Sequence, residues 1–253
     1  MTRVINYKKI FMRLAENKPD HNPFSPSSSD KWLNCKGFYM ATKDLPATKS
    51  GKAAQRGTKA HALMERCMLD NVAPENISAD IEMNEWVNYV LDYVTQYKIL
   101  HPKAEIFPEV YLPWLHVSGG TIDVFGVSPE ELLILDLKTG SWAVEVENNT
   151  QLLSYAVAAR FHVGKKKQYR LVIVQPGGFH SKGPIRETII TDKDLNAYEE
   201  YATSSIVQNL IGGERIPGDH CKWCKAEAIC ISKANHVLEQ AELKLKSDFL
   251  EDV

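Results

Sequence analysis

The chain has 253 residues, 44% of them hydrophobic and 25% charged, with a formal net charge of −2. That length and composition suit a full hydrophobic core, and no apolar run is long enough to cross a membrane, so no membrane partner is expected. A near-neutral balance argues against a protein that coats polyanions, and any nucleic-acid contact has to come from local patches.

In chain order, an amphipathic start over Val4 to Leu14 leads through His21-Asn-Pro-Phe-Ser-Pro26 to a short helix, opened by a Ser27 to Asp30 capping box and ending near Cys35. A Pro/Lys/Gly-containing stretch over 44 to 52 follows and is expected to be mobile, ordering on DNA or metal. A helix over Ala53 to Leu69, with Ala54, Ala62, Leu63 and Leu69 apolar, carries His61 and Glu65, and a second helix runs from about Met83 to Leu100. Strands are expected near 105 to 115, 119 to 127 and 131 to 138, then a helix holding Gln151 and Tyr155. A β-branched strand over Tyr169 to Gln175 ends at Pro176-Gly-Gly178; a short strand over Arg186 to Ile190, a helix over Asp192 to Leu210, a cysteine loop and an acidic, lysine-containing helix complete the chain. Helices ahead of a hairpin-rich sheet, one helix and then more strand predict an α/β fold with a mixed central β-sheet flanked by helices.

Chemistry concentrates between Gly119 and Gly140. Asp123 lies among Ile122, Val124 and Phe125, and the run Leu132 to Leu135 delivers Asp136, so both carboxylates emerge from sheet interior. Hard divalent cations such as Mg²⁺ or Mn²⁺ give buried carboxylates a purpose, because metal held by oxygen ligands activates water and neutralises charge on a phosphate. Lys138, two residues past Asp136, points to the same strand face, where an ammonium can orient the attacking water or stabilise the oxyanion. Asp-x-Lys alone is common. Here Gly120-x-x-Asp123 precedes it, and Gln151 and Tyr155 follow at helical i, i+4 spacing.

Glycine, Asp, Asp-x-Lys and Gln-x-x-x-Tyr in this order resemble the PD-(D/E)xK nucleases of the RecB-like branch. The usual proline-aspartate is replaced by Ile122-Asp123, and Asp136 stands where many members carry glutamate. The resemblance implies a restriction-endonuclease-like core over about 53–210 within a single nuclease domain, with Asp123, Asp136, Lys138, Gln151 and Tyr155 catalytic. It makes His61, on the helix over Ala53 to Leu69 that also carries Gly57, a metal ligand beside Asp123, Asp136 and the backbone carbonyl of Leu137. Glu65 is a candidate for orienting the imidazole, and Glu109 matches a position often acidic in such enzymes.

The cysteines form a second constellation: Cys35 near the start, and Cys221, Cys224 and Cys230 in CKWCKAEAIC. With no signal peptide and average composition the chain is expected in the cytoplasm, where clustered cysteines bind metal more often than they form disulfides. Four thiolates suit zinc or a [4Fe-4S] cluster alike. One cysteine before the core and C-x-x-C-x-x-x-x-x-C after it resemble the iron-sulfur RecB-like nucleases, including AddB-type helicase-nucleases and CRISPR-associated exonucleases. The resemblance implies a structural cluster joining segments 27–36 and 216–235; Cys67 falls outside it, and His220 is a substitute ligand only if Cys35 is not one. It further implies a phage or prophage origin and a DNA exonuclease, with a single-strand annealing or other recombination protein as partner.

Two basic runs are candidates for tracking DNA phosphates: Lys49, Lys52, Arg56 and Lys59, and Lys165, Lys166 and Lys167 between Arg160 and Arg170.

Overall fold

The computed structural model describes residues 5–19, 22–47 and 51–251, and of 248–251 the backbone alone. Lys49 and His21 lie outside these residues, as do Val4 of the amphipathic start and 48–50 of the stretch expected to order on binding. The chain divides into two compact units, one of residues 1–26 and 49–199, the other of 27–48 and 200–253.

The first unit is built on a five-stranded sheet in sequential order, β1 (Glu105–Trp114), β2 (Ser118–Val127), β3 (Glu131–Leu137), β4 (Gln168–Val174) and β5 (Ile185–Thr191). All neighbours are antiparallel except β3 and β4, which run parallel through the crossover helix α6 and make the sheet mixed, as expected. Central strand β3 is buried at every position, which explains why it reads as a continuous apolar run.

Numbering the remaining helices in chain order, α1 is Tyr7–Glu16, α2 Ser29–Asn34, α3 Phe38–Thr42, α4 Lys52–Asp70, α5 Ile81–Leu100, α6 Thr150–Val163, α7 Asp192–Leu210 and α8 Ile231–Glu251. One sheet face carries α4 and α5, where Leu63, Met64, Cys67, Trp86, Val87 and Val90 pack on Val124, Leu133, Leu135 and Val172. On α4 the buried stripe is Gly57, Ala60, Leu63, Met64 and Cys67, so of the apolar residues expected from sequence Leu63 is buried, while Ala54, Ala62 and Leu69 are on the solvent side. Leu69 lies two residues past Cys67, about 200° round the helix, and is 65% exposed. The opposite face receives α1, whose Phe11 meets Phe107 and Phe125 edge-on.

In the second unit α2 starts at Ser29, with Ser28 as its N-cap residue. A three-ten turn over Pro26–Ser28 precedes α2, and the Ser28 side chain caps no backbone N–H. The strap between α2, α3 and the later part of α7 is polar instead: buried Asn209 donates to the Trp32 and Ser205 carbonyls at 2.8 and 2.9 Å and accepts from the Tyr39 N–H at 3.1 Å.

Candidate metal centre

Continuing the β2–β3 register one step beyond Val124–Leu135 sets Asp123 opposite Asp136 on a single sheet face. Both carboxylates are buried, at 5% and 3% exposure. The Leu137 N–H donates to Asp123 Oδ2 at 2.6 Å, which fixes one oxygen and leaves Oδ1 towards α4. There His61 Nδ1 stands 3.1 Å from Asp123 Oδ1 and 3.6 Å from Glu109 Oε1, while its Nε2 lies 3.0 Å from the Leu137 carbonyl oxygen. Both ring nitrogens face acceptors, so the ring is an imidazolium that donates from each. Burial alone pulls its pKa down, but the Asp123 and Glu109 carboxylates more than reverse this and hold it at about 10.

His61, Glu109 and Asp123 each offer a ligand atom within 4.8 Å of the others. The separation of 3.6 Å is too long for a hydrogen bond, and Glu109 Oε1 is a buried oxygen with no hydrogen-bond partner. So is Asp136 Oδ2, although Lys138 Nζ lies 2.8 Å away, because the ammonium sits off the hydrogen-bonding direction. Burial, the Asp136 charge beside it and the more distant Glu109 push the Asp123 carboxyl up to about 6 against the pull of His61. Two under-satisfied buried carboxylate oxygens around an imidazole form a donor set that fits a hard or borderline divalent cation such as Mg²⁺ or Mn²⁺.

The second half of the site hangs on α6. Asn149 accepts from the Leu152 N–H at 3.1 Å, starting the helix there and placing Gln151 in its first turn. Gln151 Nε2 donates to Asp136 Oδ1 at 2.7 Å, and its Oε1 accepts from Lys138 Nζ at 2.7 Å. The amide thus holds the carboxylate and the ammonium side by side. Burial lowers the Lys138 pKa, but Asp136 outweighs burial, so the ammonium stays charged. Burial and the charges of Asp136 and Asp123 keep the Tyr155 hydroxyl protonated, and it receives only a long 3.4 Å contact from Gln151. Tyr155 packs so close to β2 that a Cβ on Gly120 would approach its ring to 2.9 Å, which accounts for the glycine. Likewise a Cβ on Gly57 would meet Thr139 Oγ1 at 2.9 Å, where α4 approaches the end of β3.

Every residue expected at the metal site from sequence is thus brought together: His61, Asp123, Asp136, the Leu137 carbonyl, Lys138, Gln151 and Tyr155. Glu65 does not orient the ring; that task falls to Asp123, Glu109 and the Leu137 carbonyl, while Glu65 has its own pKa raised by burial and by Glu109. Glu109 belongs in the cluster, where the resemblance offers it only as a match to a position often acidic in such enzymes.

In the second unit Cys35, Cys221, Cys224 and Cys230 line one cavity, with Phe38, Ile216, Pro217 and His220 among its walls. Burial raises the Cys35 thiol, partly countered by hydrogen bonds from the Ile216 and Gly37 N–H groups; burial raises Cys224 too, countered by the Ala226 N–H. His220 also lines the cavity, but its Nε2 donates to the Ile216 carbonyl at 2.9 Å. Cys67 stands apart, 2% exposed in the core against α4 and α5.

The basic runs are less free than their sequence suggests. Arg56 forms ion pairs with Asp80 at 2.9 Å and Glu82 at 2.6 Å and lies over the Trp86 ring. Lys165 bonds Asp192 at 2.8 Å, Lys166 the Ser128 carbonyl at 2.8 Å and Lys167 Glu130 at 2.6 Å. Arg160 is buried among Asp192, Asn196 and Glu199, and Arg170 bonds Glu131 and Glu187. Lys52 and Lys59 are exposed.

A family model described as "Protein of unknown function (DUF2800)" matches residues 21–252. The chain belongs to the DUF2800 family. Among solved structures, this DUF2800 member is similar to a candidate exonuclease from Eubacterium rectale, with 12% identity, TM-score 0.46, and 89% of this chain and 93% of that one covered. It is also similar to an alkaline exonuclease from Laribacter hongkongensis, with 12% identity, TM-score 0.33, and 65% and 83% covered. A protein from Vibrio cholerae matches at 13% identity and TM-score 0.27, over 79% of this chain and 57% of that one. Among the described residues of the DUF2800 chain, no helix is long and apolar enough to cross a membrane.

Proposed function

We propose that the chain is a metal-dependent deoxyribonuclease that hydrolyses phosphodiester bonds, acting as an exonuclease in recombination or end processing. The observation that carries this reading is the pair of buried carboxylate oxygens without hydrogen-bond partners, Glu109 Oε1 and Asp136 Oδ2, flanking Asp123 and His61 with the Lys138 ammonium beside them. Asp123, Glu109, Asp136, the Leu137 carbonyl and His61, through Nδ1 once the incoming ion has displaced its proton, would hold Mg²⁺ or Mn²⁺. When bound, such an ion supplies an activated water and positive charge at the phosphate.

The chain's own groups do the rest. Gln151 fixes Lys138 Nζ at 2.7 Å, so the ammonium meets a phosphate oxygen or the attacking water already oriented. The first turn of α6 adds the positive end of a helix dipole on the same side. Gln151 also keeps Asp136 turned inward, and protonated Tyr155 closes the back of the site against β2.

The cysteine cavity is read as the seat of a [4Fe-4S] cluster with Cys35, Cys221, Cys224 and Cys230 as ligands, zinc being the alternative. Support comes from the four thiols lining one cavity, with N–H groups at Cys35 and Cys224 that offset part of the burial raising both thiols. DNA is the substrate, and a single-strand annealing protein is the proposed partner. The test is incubation of the purified protein with linear single- and double-stranded DNA in Mg²⁺, Mn²⁺ or EDTA, beside an Asp136→Ala control. Metal-dependent loss of full-length DNA that the control lacks supports the reading; identical products from both proteins would refute it.

A further inference from the structure

The parallel strands β3 and β4 end side by side at Leu137 and Val174, and each opens into a loop, 138–149 and 175–184. The two loops are bound into one body from beneath. Gln175, fully buried, donates from Nε2 to the carbonyls of Gly140 and Trp142, both at 2.7 Å. Its Oε1 accepts from the Val144 N–H at 3.0 Å and from Arg186 Nη2 at 2.7 Å. Arg186 is only 2% exposed, and it donates further to the Val144 carbonyl at 3.1 Å and the Gly183 carbonyl at 2.8 Å. At the rim His180 pairs with Glu145 at 2.9 Å and Lys182 with Glu147 at 2.7 Å.

A buried guanidinium bonded to an amide and backbone carbonyls, with no carboxylate in ion-pair contact among the described residues, is a costly device for ordering surface loops. What the ordered loops hold into solvent is aromatic: Trp142, 76% exposed, and Phe179, 91% exposed. Single exposed apolar residues are ordinary. Trp142 differs because its own carbonyl is gripped by a buried side chain, which fixes the backbone from which the indole projects. It also lies four residues after Lys138, within at most about 14 Å along the chain.

We propose that Trp142, aided by Phe179 on the neighbouring loop, is a stacking platform for an unpaired nucleobase next to the scissile phosphate, selecting single-stranded or frayed DNA. The nucleic-acid class of the ligand rests on the nuclease reading above. A flat ring on an anchored backbone loses little freedom on stacking, and any base offers it a face, provided no neighbouring base covers that face. Inside an intact duplex both faces of every base are covered.

The test measures binding of the full chain to a fluorescein-labelled single-stranded oligonucleotide in EDTA, where no cleavage is needed, with closed circular duplex DNA as the second ligand. Trp142→Ala is expected to weaken oligonucleotide binding about 5- to 150-fold, the range that one lost base–aromatic stack implies. Trp142→Phe should keep most of the affinity, and binding of the circular duplex should be the same in all three proteins. Equal oligonucleotide affinity in wild type and Trp142→Ala would overturn the platform, as would an equal loss on both ligands or no oligonucleotide binding by the wild type. The two readings fail separately: a Trp142-dependent affinity in a protein that cuts no DNA under any metal leaves the platform and removes the nuclease, and cleavage with unchanged Trp142→Ala binding does the reverse.

Discussion

Glu109 and Asp123 face each other across the β1–β2 ladder, between the pairs Pro108–Val124 and Val110–Ile122, and Glu109 holds a left-handed φ of 48°. A residue with a Cβ adopts that conformation at a cost of roughly 1–2 kcal/mol, so the strand is bent out of its ordinary geometry where two carboxylates converge on His61.

That strain makes a stability prediction. Glu109→Gly should raise stability in EDTA by about 1 kcal/mol, through relief of the left-handed backbone and loss of an unpartnered buried oxygen, while lowering metal affinity. Urea unfolding and a Mn²⁺ titration read the two effects. Glu109→Ala keeps the strain and should show the metal defect without the same gain; a destabilised glycine variant with intact metal binding would show that Glu109 serves the fold instead.

Lys138 and Gln151 act together in the site, and their loss should be felt in turnover. Lys138→Ala should lower kcat about 100- to 1000-fold with little change in metal affinity, as for a lost transition-state donor. Gln151→Ala should follow the same pattern more weakly, since the ammonium remains but is no longer aligned. The double variant should then be little worse than Lys138→Ala alone. Independent, multiplicative losses in single-turnover rates would refute the coupling.

The thiol cavity predicts a coloured protein. Prepared without oxygen, it should absorb broadly in the visible and hold about four irons and four sulfides per chain. Cys35→Ala should bleach it and lower the unfolding midpoint, because Cys35 closes a long loop back to Cys221. A colourless anaerobic preparation with one zinc would make the site a zinc staple, and a fully loaded Cys35→Ala protein would move the fourth ligand elsewhere.

Asp192 sets an acid limit on the first unit. Partial burial pushes its carboxyl up, but hydrogen bonds from Lys165, Arg160 and Tyr169 more than offset this and hold it at about 2. A depressed folded-state pKa contributes stability that is present above the unfolded value near 4 and lost as pH falls through about 2. Asp192→Asn should therefore be less stable than wild type at neutral pH, and the difference should close between roughly pH 4 and pH 2. A gap that stays constant across that range in urea denaturation would show that the carboxylate's charge contributes nothing.

The sheet was legible because its strands carry strong local signals: β3 holds the apolar run Leu132 to Leu135, and α7 spans the Asp192 to Leu210 segment expected from sequence. The Asp123, Asp136, Lys138, Gln151 and Tyr155 series was legible through the resemblance of its order and spacing to the RecB-like nucleases, with strand and helix periods setting Asp136 beside Lys138 and Gln151 beside Tyr155. Glu109 carried a weaker signal, since its role depends on a left-handed backbone that no local sequence pattern announces. The basic runs read as open charge because their partners lie far along the chain, Asp80 for Arg56 and Asp192 for Lys165. Gln175, Arg186 and Trp142 gave no signal, because their meaning arises only when two loops meet.

The most direct measurement is a time course of end-labelled linear DNA with the wild-type chain and Asp136→Asn, in Mn²⁺, in Mg²⁺ and in EDTA. Asp136→Asn keeps the side chain's shape while removing the charge beside Lys138 Nζ. The predicted result is degradation by the wild type that depends on divalent metal and is abolished in a variant with an unchanged unfolding curve. Degradation that persists in EDTA, or that the folded Asp136→Asn protein performs at the wild-type rate, would contradict the assignment of this site as the nuclease centre.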